Sequence, residues 1–226
     1  MDEILPGLTA AACLALVHLG VGRFGFVIGT RADSAAVGFA LGYVFLHLLP
    51  DEAELQHRFA EQLLLPGLQL WLVALFGLIA VVGYLEAERG STAPRRIYIP
   101  HVAYNLLLGG LMARGNAAWA AVPFVVAGLG VHLAHLDHAL HLRDPTGWQR
   151  FSVLLAAAVL VGWIFARFLP APPVLQAHGF ALVSGAVVAL SFFGEHNGHT
   201  HLSPRWLFGG AFASALVMGA LEVLVH

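Results

Sequence analysis

Polar residues in this chain interrupt long apolar runs, and the runs recur at one length. A helix needs about 20 apolar residues to cross a bilayer. Runs of that order fall at roughly 4–22, 34–50, 67–86, 97–113, 117–142, 152–169, 174–194 and 205–225. Each is a continuous apolar stretch, not an alternation of polar and apolar positions, which predicts helices and argues against a barrel. The second run is short and is expected to end at Pro50. The predicted fold class is an all-α integral membrane protein, one transmembrane domain over residues 1–226 with eight transmembrane helices.

Composition supports this. The chain is 59% hydrophobic and 11% charged, too few charges to cover a water-soluble domain of 226 residues. Cys13 is the single cysteine, so no intrachain disulfide forms. Met1-Asp2-Glu3 lacks the basic start of a signal peptide, and the first apolar run is expected to be retained. The basic residues are all arginine. With the N-terminus outside, Arg23, Arg31, Arg89, Arg95, Arg96, Arg143, Arg150 and Arg205 fall in inner loops, and only Arg58, Arg114 and Arg167 in outer ones. That bias predicts both termini outside, in a cell membrane of the bacterial inner-membrane type. Trp71 and Trp119 then mark the outer interface, with Tyr98, Trp148 and Trp206 at the inner one. The expected partners are the lipid bilayer and a metal ion, with no nucleic acid and a homodimer as one assembly. No organic cofactor is predicted.

Small residues at helical spacing, Gly25-x-x-x-Gly29, Gly38-x-x-x-Gly42 and Ala215-x-x-x-Gly219, suit close helix packing. The string GFAL occurs at 38–41 and again at 179–182. Asp51 and Glu195 follow at the ends of the two runs, which point in opposite directions, as an inverted repeat requires.

The candidate chemistry lies between Ile97 and Leu142, in two runs joined by an Arg114–Asn116 turn. His101 and Asn105 are spaced i, i+4 and share one helix face. The next run ends with His132, His135, Asp137, His138 and His141. At 1.5 Å per residue, His101 and Asn105 lie about 6 and 12 Å from the inner end of their helix, and His138 and His135 about 6 and 10 Å from the same side. Imidazole with carboxylate suits Zn²⁺ or Fe²⁺. The expected metal ligands are therefore His101, Asn105, His132, His135, Asp137, His138 and His141, with His101 facing His135 or His138 as the favoured pairing. His132 and His141 fall on opposite faces and cannot share an ion. Each histidine has a plainer alternative, a hydrogen bond to a neighbouring helix. His47, Asp51 and Glu52, with Glu54, His57 and Glu61, read as an outer mouth that concentrates cations, or as a solvated loop. Glu195, His196, His199 and His201 read as an inner exit, or as an Asn-Gly turn with incidental histidines.

The run AVGFALGYVFLHLLPDEAEL resembles the second helix of the ZIP (zinc/iron permease) family, a glycine-rich run ending in an LLP-acidic sequence. His101-Val102-Ala103-Tyr104-Asn105 followed by LLLGG sits where that family carries His-Asn-x-x-Asp/Glu-Gly. The resemblance is closest to a bacterial ZIP-like branch. It implies a 3+2+3 bundle and passive movement of zinc or another divalent transition metal as substrate. Val102 and Asn105 stand where the family has Asn and a carboxylate, and Asp137-His138-Ala139-Leu140-His141 replaces its His-Glu-x-Pro-His/Glu pattern. Other functions stay open: a non-transporting relative in sensing or assembly, a histidine-box membrane metalloenzyme, and haem ligation through His18, His47, His101 or His178. No P-loop and no GxSxG is present, which argues against nucleotide-driven transport and a serine hydrolase.

Overall fold

A computed structural model of the chain describes residues 4–21, 30–87, 98–113, 119, 122–169, 171–193 and 202–225, and among them every regular element is helical. In order these are α1 (Ile4–Gly20), α2 (Thr30–Tyr43), a π-helical turn (Val44–Leu48), α3 (Leu49–Arg58), a short 3₁₀ turn (Ala60–Gln62), α4 (Gln69–Ala87), α5 (Tyr98–Met112), α6 (Val122–Arg143), α7 (Trp148–Phe168), α8 (Pro173–Phe193) and α9 (Pro204–Val225). Proline sits in the first turn of α1, α5, α6, α8 and α9, where its missing N–H breaks no helical bond. The Arg114–Asn116 turn, Gly25-x-x-x-Gly29 and the segment Glu195, His196, His199 and His201 lie outside the described residues.

Among the described residues, four apolar helices are long enough to cross a membrane: Arg31–Arg58, Gln69–Ala87, Trp148–Phe168 and Pro173–Ser191, with Ile4–Gly20 a shorter apolar helix. Such helices are consistent with a membrane protein. The α6 helix has the length too, but its histidines and Asp137 dilute its hydropathy. Of those, His132, His135, Asp137 and His138 are buried against other helices.

The expected stop at Pro50 does not occur. The helix runs on to Arg58, because the π turn directly before Pro50 widens the spiral and Leu49 N–H bonds the Val44 carbonyl. A wider turn relieves the clash between a proline ring and the carbonyl one turn back.

Helix directions alternate along the chain, as short-range contacts show. The α2 and α9 helices run parallel, with Ser34 meeting Ser203 near their starts and Gly42 meeting Ser214 further on. In the same way α5 and α7 are parallel, Tyr98 stacking on Phe151 at one end and Gly110 facing Ala166 at the other. Gln69 with His178, then Gly77 with Leu182, make α4 and α8 parallel. The α1 helix runs with α6, its Leu14 and Val17 near Gly130 and its His18 on Asp137. It runs against α7, since Gly7 lies by Trp163 while the Val21 carbonyl accepts from Trp148. Tyr43 over Gly128, and Asp33 on His135, set α2 against α6.

The three most extensive pairings, α2 with α9, α4 with α8 and α5 with α7, share one construction. Each crossing places a glycine of one helix on a carbonyl oxygen of the other, and the partner returns the same contact. Gly38 meets the Leu207 carbonyl while Gly210 meets that of Ala35; Gly77 meets Leu182 while Gly185 meets Ala74; Gly109 meets Val159 while Gly162 meets Leu106. A Cβ at any of these glycines would overlap backbone. With no side chain between them, the helix axes approach closely and gain van der Waals contact along the crossing.

The sequence spacing located these contacts only in part. Gly38 and Gly42 do face α9, but the contact face of α9 carries Gly210 and Ser214, not Ala215 and Gly219, which are exposed. The two GFAL copies also differ, since Gly38 is at a crossing and Gly179 has open space around it.

Candidate functional site

Three helices meet at His18. The ring of this fully buried residue, near the end of α1, spans from α6 to α5. Its Nδ1 lies 2.7 Å from Asp137 Oδ2 and its Nε2 2.8 Å from Asn105 Oδ1. The Asn105 amide is oriented by its own Nδ2, which donates to the His101 carbonyl at 2.8 Å. Its oxygen therefore accepts from His18 Nε2–H, and the proton between Nδ1 and the carboxylate is shared by the pair. Asp137, Asn105 and His101 are all buried, so the chain Asp137–His18–Asn105–His101 runs through the interior of the bundle.

Two residues earlier on α6, His135 turns to a different helix. Its Nδ1 is 3.3 Å from Asp33 Oδ1 on α2. His132, earlier still, directs Nδ1 to Ser191 Oγ on α8 at 3.4 Å and sets its ring edge-on to Tyr104 of α5, with centroids 6.1 Å apart. The α6 helix thus sends successive polar side chains to separate neighbours. At 100° per residue, positions 132, 135 and 137 point in three directions, and each direction holds a helix in this bundle.

Between α5 and α6, where His101 was expected to face His135 or His138, the structure places a bridge. Asn105 and Asp137, from the two predicted polar sets, do come together, but through His18, and His135 engages Asp33. His138 is buried on α6, while His141 is half-buried with its ring edge toward Trp148, centroids 6.1 Å apart. Among the described residues, no three His, Cys, Asp or Glu side chains cluster closely enough to hold a metal ion.

The outer-mouth residues separate. His47 Nδ1 and Asp51 Oδ2 lie 3.7 Å apart, both partly exposed, with Tyr43 edge-on to the His47 ring. Glu54 and His57 are exposed on α3, and Glu54 pairs with Arg58. Glu52 instead points inward: it is 0% exposed and neither carboxylate oxygen has a hydrogen-bond partner among the described residues. One turn on, the buried Gln56 accepts from Leu70 N–H at 2.7 Å and donates to the Pro66 carbonyl, tying α3 to the start of α4.

Two members of the network, His18 and Asp33, were not among the expected metal-ion ligands, His18 having been read only as a candidate haem ligand. His18 ends a run that is otherwise apolar, so its polarity stood out, but its partners are 87 and 119 residues away. Asp33 fell just before the predicted start at residue 34, and the observed helix begins at Thr30. Its place on the buried stripe Asp33, Val37, Ala40, Val44 was the available signal.

No protein-family model matches the chain, and a sequence comparison with curated proteins finds no match.

Proposed function

We propose that this protein is an eight-span membrane permease of ZIP-like arrangement, with zinc or a similar divalent transition metal ion as its substrate. The reading rests on one observation: two carboxylate–imidazole pairs, Asp137 with His18 and Asp33 with His135, are buried within one turn of each other on α6 inside an otherwise apolar bundle. Ionisable groups at such depth are costly and mark substrate or ion paths. Nitrogen and oxygen donors on separate facing helices suit a borderline divalent ion. Asp137, Asn105, His101 and His18 are the residues that would receive it, His18 releasing Asp137 as the ion arrives.

The alternating helix directions support eight spans. The pairing scheme supports an inverted repeat. Exchanging spans two and seven, and three and eight, turns the α2–α9 crossing into the α8–α4 crossing, with Gly38 matched to Gly185 instead of Gly179.

Purified protein in sealed vesicles is expected to take up Zn²⁺ or Fe²⁺. Asp137→Asn should lower uptake at least tenfold, and His101→Ala and His138→Ala should lower it measurably, each with unchanged yield of folded protein. Uptake that all three variants retain at the wild-type level would refute the assignment. A second reading has its own support: both ring nitrogens of His18 are already engaged, as in a fixed polar core of a non-transporting relative. On that reading the wild-type vesicles take up no divalent ion at all.

A further inference from the structure

In folded proteins buried polar atoms nearly all find partners, which makes the exceptions informative. Two of them belong to neighbouring rings. His132, 1% exposed, has no hydrogen-bond partner at Nε2 among the described residues, and neither does the hydroxyl of Tyr104, 2% exposed. Their rings meet edge-on with centroids 6.1 Å apart. They come from α6 and α5, the helices that also carry Asp137 and Asn105.

The tautomer of His132 follows from its other side. Ser191 Oγ donates to the Val187 carbonyl of its own helix at 2.8 Å. That hydrogen is spent, so toward His132 the serine oxygen can only accept, and His132 Nδ1 carries the hydrogen that it donates. One proton on Nδ1 leaves an unprotonated Nε2 lone pair in the core. An imidazole fixed through one nitrogen by a hydrogen bond and free at the other is arranged as metal-binding histidines are, with the outer partner fixing tautomer and ring direction.

We propose that His132 Nε2 and the Tyr104 hydroxyl oxygen form a binding station for a divalent transition metal ion, oriented by Ser191. The inference rests on the permease reading above and gives that path its chemical selectivity. A neutral imidazole nitrogen favours borderline ions such as Zn²⁺, Co²⁺ and Ni²⁺; Mg²⁺ and Ca²⁺ prefer all-oxygen shells. The station precedes Asp137 by five residues on α6, about 7.5 Å along the helix axis. It is thus one step from the His18–Asp137–Asn105 chain. Ser191 acts as a positioning residue, since it touches the ring and not the ion.

The test uses the full chain in detergent, with Co²⁺ as a spectroscopic probe and Zn²⁺ and Mg²⁺ as competitors. Wild-type protein is expected to give visible Co²⁺ bands of a nitrogen-ligated site, displaced by Zn²⁺ and not by a hundredfold excess of Mg²⁺. His132→Gln should weaken Co²⁺ binding at least tenfold and Tyr104→Phe about threefold. Ser191→Ala should shift the band positions as well as the affinity, a spectroscopic change that a merely looser fold would not produce. His178→Gln, remote from this station, should leave the spectrum unchanged. All variants are checked for wild-type elution and helicity, and if His132→Gln does not fold, the Co²⁺ titration of Tyr104→Phe decides instead: a roughly threefold weaker affinity keeps the proposal, and an unchanged affinity overturns it.

Retention of the wild-type spectrum by His132→Gln, or displacement by Mg²⁺, would overturn the proposal. So would a failure of the wild type to bind Co²⁺, which leaves a water molecule as the occupant. The two readings part cleanly. Co²⁺ bound at His132 with no vesicle uptake keeps the station and removes the permease. Uptake that is indifferent to His132→Gln keeps the permease and removes the station.

Discussion

His18 carries the heaviest expectation of any single side chain. Replacing it by alanine leaves Asp137 buried with no imidazole and Asn105 Oδ1 with no donor. Removing one member of a buried charged pair costs about 3–5 kcal/mol, and His18→Ala should lower the thermal midpoint in detergent by more than any exposed substitution on the same helix, such as Leu16→Ala. Glu52 should behave in the opposite sense. Its buried carboxylate has no partner among the described residues, and an unsatisfied buried polar group costs on the order of 1–3 kcal/mol. Glu52→Gln is therefore expected to raise the thermal midpoint. A lowered midpoint would show that a bound cation satisfies the carboxylate. The polarity of these residues was legible in the sequence. Their partners were not, because a histidine within an apolar run offers two nitrogens in directions that depend on which helices stand beside it.

At the scale of elements, glycine decides which helices pair. Gly109 and Gly162 each rest on a carbonyl oxygen of the partner helix. Gly109→Ala or Gly162→Ala must push α5 and α7 apart, and a clear loss of stability follows from overpacking that forces backbone to move, typically 1–3 kcal/mol. Gly83 and Gly179 have open space around them. There alanine should be neutral or favourable, since glycine inside a helix is about 1 kcal/mol worse than alanine. Thermal unfolding of the four variants side by side checks this contrast. Helix positions could be read closely from apolar run length. The exception at Pro50 arose because proline alone signals a stop, whereas the π turn that carries the helix past it shows only in the backbone. Small-xxx-small spacing found Gly38 and Gly42 but mistook the contact face of α9, since many faces of an alanine- and glycine-rich helix match such a pattern.

At the scale of the molecule, parallel pairs joined through intervening helices make contacts that are distant in sequence. Gln69 Nε2 donates to His178 Nε2 at 2.7 Å, and His178 Nδ1–H donates to the Val174 carbonyl at 2.6 Å. With Cys13 replaced by serine, cysteines at positions 69 and 178 should join through a short bifunctional maleimide in intact membranes. Cysteines at 87 and 178, at opposite ends of the two helices, should not. Joining of the second pair and not the first would mean that α4 and α8 run antiparallel.

Composition and periodicity by themselves determined that the chain is helical and apolar enough for a membrane, where its helices lie, and that α5 and α6 carry the polar groups. Those properties depend on the local free energy of burying a run of side chains, which is set residue by residue. Only the tertiary structure decided that His18 joins Asn105 to Asp137, that Asp33 receives His135, and that His132 keeps a lone pair unspent. Each of those outcomes depends on which helix stands opposite a given face, and that is set by the glycine crossings, where backbones separated by about a hundred residues or more in α2–α9 and α4–α8 touch.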